Sequence, residues 1–238
     1  MPNSAHKGKS AMSDAGEMVR VASRDGFELG AFHVEPTGAR KGGVIVVQEI
    51  FGISAHVRHM AERLGAAGFE ALAPSMFDRS APGFVSEPDR LAEDMPRARE
   101  LAMGNSQDNA MNDIGACLNG MKSAGPVFVT GYCYGGTMSW VAAARLEGLA
   151  AASCYYGGAI PQLTNLTPKC PTICHFGRHD AHIPMQGVDA LKVAHPGVEV
   201  HIYEAGHGFA RKESSDYDAA SDALAFRRTL ELFGRFAV

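Results

Sequence analysis

Apolar positions along this chain keep two rhythms in turn, and the change from one to the other predicts its architecture. The opening "MVRVASRDGFELGAFHVEP" reads as two strand-like stretches around Asp25-Gly26, a strong hairpin signal. "GGVIVVQE" (42–49) is a continuous β-branched run, the pattern of a strand buried on both faces. Val57, Met60, Ala61 and Leu64 then recur at helical spacing, and Gly68 stops that helix. "FEALAPSMF" predicts the next strand, and residues 89–103 predict a helix. Ala110, Met111, Ile114, Cys117, Leu118 and Met121 mark a further amphipathic helix. "PVFVTG" is a strand, and the small-residue helix "TMSWVAAARLEG" follows it closely. "AASCYYGG", "PTICHFG" and "VEVHIYE" read as short buried strands, with "PMQGVDALKVA" between the last two. A long helix from about 218 to 235 closes the chain.

Strands alternating with helices imply an α/β fold, a mostly parallel sheet covered by helices on both faces. No repeat, linker or composition break divides it, so residues 17–238 are expected to form one domain. Residues 1–16 lack an apolar core segment, are no signal peptide, and are expected to be a flexible polar tail. At 238 residues, 46% hydrophobic and 20% charged, the chain is an ordinary globular protein. A net charge of -4 gives no footprint for nucleic acid, and no apolar run approaches the length of a membrane span. Five cysteines (117, 133, 154, 170 and 174) are an odd number without an export signal. That argues for free thiols in a reducing, cytoplasmic setting.

In such a sheet, chemistry is expected beyond the carboxyl ends of the strands. Reading those positions alone leaves Glu49, Arg79, Cys133, Asp180 and His207. Cys133 sits in Gly131-Tyr132-Cys133-Tyr134-Gly135, which is G-x-S-x-G with cysteine in place of serine. That motif is a sharp strand-to-helix turn that presents a nucleophile above the sheet. The helix N-terminus beneath it favours a thiolate. A small structural cysteine in a glycine-rich turn is the alternative, and Asp180 and His207 taken singly could be solvated loop residues. Together the three run nucleophile, acid, histidine, each after a different strand, which is the chain order of α/β-hydrolases. His175, His179 and His182, with Cys170 and Cys174, superficially suggest a metal site. Strand alternation sends neighbouring residues of that stretch to opposite faces and zinc spacing is absent, so no metal is expected. His56 and His59 are expected on a solvated helix face.

At these residues the chain resembles the dienelactone hydrolases, cysteine-dependent members of the α/β-hydrolase fold. The resemblance runs from about residue 19 to 233. It is carried by "VVQEIFG" (46–52), "APSMFDRSAPG" (73–83), "GYCYGG" (131–136), "GRHDAHIP" (177–184) and "EAGHGFAR" (204–211). It implies that Glu49 pairs with the resting Cys133 thiol and, when substrate displaces it, helps generate the thiolate. It implies an oxyanion hole from the backbone N–H groups of Ile50 and Tyr134, and carboxylate binding by Arg79 and Arg211. The chain departs from the family at Gly208, where the family carries a serine that helps bind the substrate carboxylate.

The expected protein is therefore a hydrolase of a small, carboxylate-bearing ester or lactone, working through Cys133, His207 and Asp180 without cofactor or metal. A general carboxylesterase or thioesterase on the same triad is the nearest alternative, and a non-catalytic binding protein on the same fold a more distant one. A small-molecule substrate is the expected partner, with no nucleic acid or membrane, and the expected state is a monomer or small homo-oligomer.

Overall fold

A computed structural model describes residues 16–238; of the tail expected at residues 1–16, residues 1–15 lie outside them. Gly16, expected to end that tail, instead opens the first strand, β1 (Gly16–Ala22). It pairs antiparallel with β2 (Glu28–Val34), and Gly26 sits between them at φ 83°, a conformation glycine adopts without strain. From β3 (Gly43–Val47) onward strands and helices alternate: α1 (Ala55–Ala66), β4 (Glu70–Pro74), α2 (Leu91–Gly104), α3 (Gln107–Met121) and β5 (Val127–Tyr132). Then come α4 (Tyr134–Arg145), β6 (Leu149–Tyr155), β7 (Thr172–Gly177), α5 (Met185–Ala194), β8 (Glu199–Tyr203) and α6 (Ala219–Gly234).

All eight strands form one sheet in the order β1-β2-β4-β3-β5-β6-β7-β8, parallel from β4 to β8. The predicted two-face burial holds at its centre. In β3, Val44 and Val46 join a core with Val57, Met60 and Leu64 of α1 and Phe233 of α6. Ile45 and Val47 point the other way, into a core with Ile114 and Leu118 of α3 and Val141 of α4. The expectation fails at β8, which is only partly buried because it is the sheet's last strand. No helix among the described residues is long and apolar enough to cross a membrane.

Register places the site. Val47 stands opposite Gly131, Tyr132 opposite Tyr155, Tyr155 opposite His175, and Gly177 opposite Tyr203. The carboxyl ends of five neighbouring strands therefore finish along one edge, and the loops after β3, β5, β6, β7 and β8 share it.

Candidate active site

Cys133 is the last residue before α4 and holds φ 55° and ψ -113°, a strained conformation for a residue with a side chain. Close packing enforces it. A Cβ on Gly131 would come within 2.2 Å of the Gly135 carbonyl oxygen, and one on Gly135 within 2.1 Å of the Val47 oxygen. The Cys133 N–H donates to the Tyr155 oxygen at 3.0 Å, which ties the turn to β6. The thiol is left half-exposed in a cleft that Ile50 and Tyr134 also line. The N–H groups of both those residues lack a protein acceptor among the described residues. For Tyr134 the reason is its place in the first helical turn, where no intrahelical acceptor exists.

His207 and Asp180 meet as expected. Imidazole Nδ1 and the buried Asp180 Oδ2 are 2.6 Å apart, and the other carboxylate oxygen accepts from the His182 N–H at 2.8 Å. A carboxylate at Nδ1 fixes the tautomer that turns Nε2 away from it. Burial would push the His207 pKa down, but Asp180 and Cys133, both favouring the imidazolium, outweigh it and hold the pKa up at about 10. That balance suits a base that takes a proton from sulfur.

Glu49 lies two residues past β3 and is fully buried, and burial raises its pKa against the opposing charges of Arg211 and His207. Arg211 Nε is 3.6 Å from Glu49 Oε2, and its guanidinium also lies 5.0 Å from the Phe51 ring centre. Glu49 thus leans on Arg211 instead of the expected thiol. A buried carboxylate gains more from a guanidinium than from a neutral SH.

Arg79 is the expected residue that the structure does not bring to this group. Its guanidinium bonds Asp113 Oδ1 at 2.7 Å, Asp25 Oδ2 at 2.7 Å and Ser23 Oγ at 3.1 Å, and lies 4.5 Å from the Phe27 ring centre. It clamps the β1–β2 turn to α3. The correction has a simple cause: two carboxylates compete for one planar fork, one of them the buried Asp113.

Gly208 has φ 74°, and a Cβ there would lie 3.3 Å from Ser214 Oγ, which donates to the His207 carbonyl oxygen at 3.3 Å. Ser214 thus crowds the space toward which a serine at 208 would project.

His56, expected on a solvated face, is buried edge-on to Tyr132 at 4.8 Å, and burial lowers its pKa to about 3. His175 is enclosed in β7, with Nδ1 on the Tyr203 hydroxyl at 2.8 Å and Nε2 by Ser153. Sequence reasoning missed Tyr156. It follows β6 at φ 37°, its ring sits 5.2 Å from His207, and its buried hydroxyl has no partner among the described residues. Its place just past a strand end was the available signal.

A mostly parallel eight-stranded sheet with a strained cysteine turn after its fifth strand defines an α/β-hydrolase. The sequence pattern of the Dienelactone hydrolase family matches residues 29–237, and the chain belongs to that family. Carboxymethylenebutenolidase 1 of Cupriavidus pinatubonensis is 33% identical over 230 residues, covering 90% of this chain and 94% of that protein. The carboxymethylenebutenolidase of Pseudomonas putida is 32% identical over 227 residues, with coverage of 90% and 94%. Among solved structures, a Klebsiella pneumoniae protein assigned as a dienelactone hydrolase superposes with a TM-score of 0.79 at 24% identity, covering 93% of this chain and 98% of its own. A Pyrococcus furiosus esterase superposes with a TM-score of 0.71 at 14% identity, covering 96% of each chain. The protein is a hydrolase acting on ester or lactone bonds.

Proposed function

We propose that this hydrolase cleaves a small carboxylate-bearing ester or lactone through a covalent acyl intermediate on Cys133, in the manner of the carboxymethylenebutenolidases it resembles. The observation that carries the reading is the 2.6 Å pairing of His207 with Asp180, next to a cysteine held at φ 55° at the start of α4.

With His207 Nε2 already holding the proton given up by the Cys133 thiol, the sulfur attacks the scissile carbonyl carbon. The N–H groups of Ile50 and Tyr134 receive the developing oxyanion, donors worth about 3 kcal/mol each in the transition state. The imidazolium returns its proton to the leaving alkoxide, leaving a thioester on Cys133. The same imidazole then draws a proton from water, whose attack frees the acid and restores the thiol. Asp180 stays ionised throughout and orients the ring. We assign Arg211, beside Glu49, to the carboxylate of a lactone substrate. Its approach would loosen Glu49 and turn that carboxylate toward the thiol. A reducing cytoplasm suits a thiol nucleophile, and a monomer or small homo-oligomer is the form we assign to the working enzyme.

The test is a turnover panel of cis- and trans-dienelactone, neutral aryl esters and acyl thioesters, run on wild type and Cys133→Ala. Hydrolysis of the lactones, lost in the variant, is the expected result. A Cys133→Ala protein that still turns over overturns the mechanism. Preference for thioesters over every lactone overturns the substrate class.

A further inference from the structure

The cleft above Cys133 has a second wall. It encloses about 330 Å³, within the range of small-molecule sites. Opposite Ile50, Cys133 and Tyr134 stand Arg99, Ala102 and Met103 of α2. Their spacing of three and four residues puts them on one helical face, next to the buried Ala98 and Leu101 that seat the helix. Met103 is 86% exposed, which leaves its flexible side chain free to meet an apolar ligand in the cleft. The wall is held in place just past its end: Asn105 Nδ2 donates to the Tyr134 hydroxyl and to the Met76 carbonyl oxygen, both at 2.9 Å.

Arg99 differs from the other arginines of this segment. Arg90 pairs with Glu93 and Asp94, and Arg97 with Glu100, so the acidic side chains of α2 are already taken. Arg99 forms no hydrogen bond or ion pair with any described residue. Among the described residues no acidic side chain lines the cleft, and Arg99 is its one cationic lining residue. Arg79 is committed to Asp25 and Asp113, and Arg211, beside Glu49, is not among the residues that line this cleft.

We propose that Arg99 is a specificity-determining residue: it receives a carboxylate at the far end of an acyl chain whose apolar middle lies along Ala102 and Met103. The preferred substrates are then esters of ω-carboxy acids, with the scissile carbonyl at Cys133 and a methylene spacer leading to the guanidinium. A guanidinium fork matches a planar carboxylate, and a single positive charge matches a monoanion. This inference rests on the proposed acyl transfer at Cys133.

The experiment compares, within each protein, kcat/KM for monoaryl adipate and suberate with that for aryl hexanoate and octanoate. It uses wild type, Arg99→Ala, Arg99→Lys and Arg99→Glu. The selectivity ratio for the carboxylated esters should fall roughly tenfold in Arg99→Ala, mainly through KM, as expected for one charge-assisted contact near solvent. Arg99→Lys should keep part of it, and Arg99→Glu should favour the neutral esters. A second readout needs no turnover: the rate at which 6-maleimidohexanoate labels Cys133 relative to N-hexylmaleimide, followed by peptide mapping. That ratio should fall in Arg99→Ala as well. Ratios equal to wild type in both assays overturn the proposal. A wild type that hydrolyses no ester but keeps an Arg99-dependent labelling ratio would sink the hydrolytic reading and leave the subsite standing.

Discussion

Arg211 Nε stands 3.6 Å from Glu49 Oε2, and neither buried atom has a hydrogen-bond partner among the described residues. The pair is therefore held by charge without the directional bonds that would lock it. Such a contact can be exchanged for a substrate carboxylate at little cost in geometry. Glu49→Gln removes the negative charge and leaves Arg211 uncompensated. Iodoacetamide labelling of Cys133 should become as fast as in wild type or faster, while turnover of carboxylate-bearing lactones falls. A labelling profile against pH that responds neither to Glu49→Gln nor to a non-hydrolysable carboxylate ligand would show that Glu49 plays no part in switching the thiol.

His207 supplies a prediction with a definite pH direction. Its folded pKa lies at about 10, above the usual 6.5, so the folded state binds that proton more tightly than the unfolded chain. The stabilisation is complete below about pH 6.5 and is lost as pH rises toward 10. Wild type should lose stability over that window, and His207→Ala should lose less of it. Thermal melts across the window read the effect directly. In NMR titrations the His207 midpoint should drop in Asp180→Asn, and kcat should fall on the order of 10³-fold or more. Larger losses from His182→Ala than from His207→Ala would show that the base is misassigned.

Arg79 should behave as a structural residue. Arg79→Ala leaves Asp113 buried without its cation, a change that costs about 3 kcal/mol or more. The expected signature is a lower Tm, with similar KM for carboxylate-bearing and neutral esters at temperatures where the variant stays folded. A raised KM confined to carboxylate-bearing substrates, with Tm unchanged, would return Arg79 to the binding site.

Gly135→Ala tests the turn. The added methyl would meet the Val47 carbonyl oxygen at 2.1 Å, and backbone cannot move aside as a flexible side chain can. Turnover should be lost, with destabilisation of several kcal/mol as for other clashes against fixed atoms. A Gly135→Ala protein with wild-type activity would mean that the elbow tolerates a wider path than its packing implies.

The parts of this site that could be read in the chain are those written in a few consecutive residues. "GYCYGG" and "EAGHGF" each carry their turn, and alternation of strands and helices placed both at the same edge of the sheet. The fate of Arg79 was not legible, because it depends on Asp25 and Asp113, which only the folded chain brings to it. Glu49 is similar: its place after a strand was plain, but its preference for Arg211 over sulfur is set by packing between distant loops. His56 stands one position before Val57 and four before Met60, on the edge of the helical apolar pattern, and the ring of Tyr132 covers it. Strand burial failed as an expectation only at β8, since a sequence window does not show which strand will lack a neighbour.

That outermost strand has a consequence for a chain only partly folded. The cysteine elbow packs against β3, β5, β6 and α4, all of which lie before residue 156 in the chain. His207 follows β8, the last strand in the chain and an edge of the sheet. A chain in which β8 had not paired with β7 would have the elbow but not the imidazole we propose as its base. On that reading the cysteine of such a chain would stay quiet, and the edge strand is what makes it reactive.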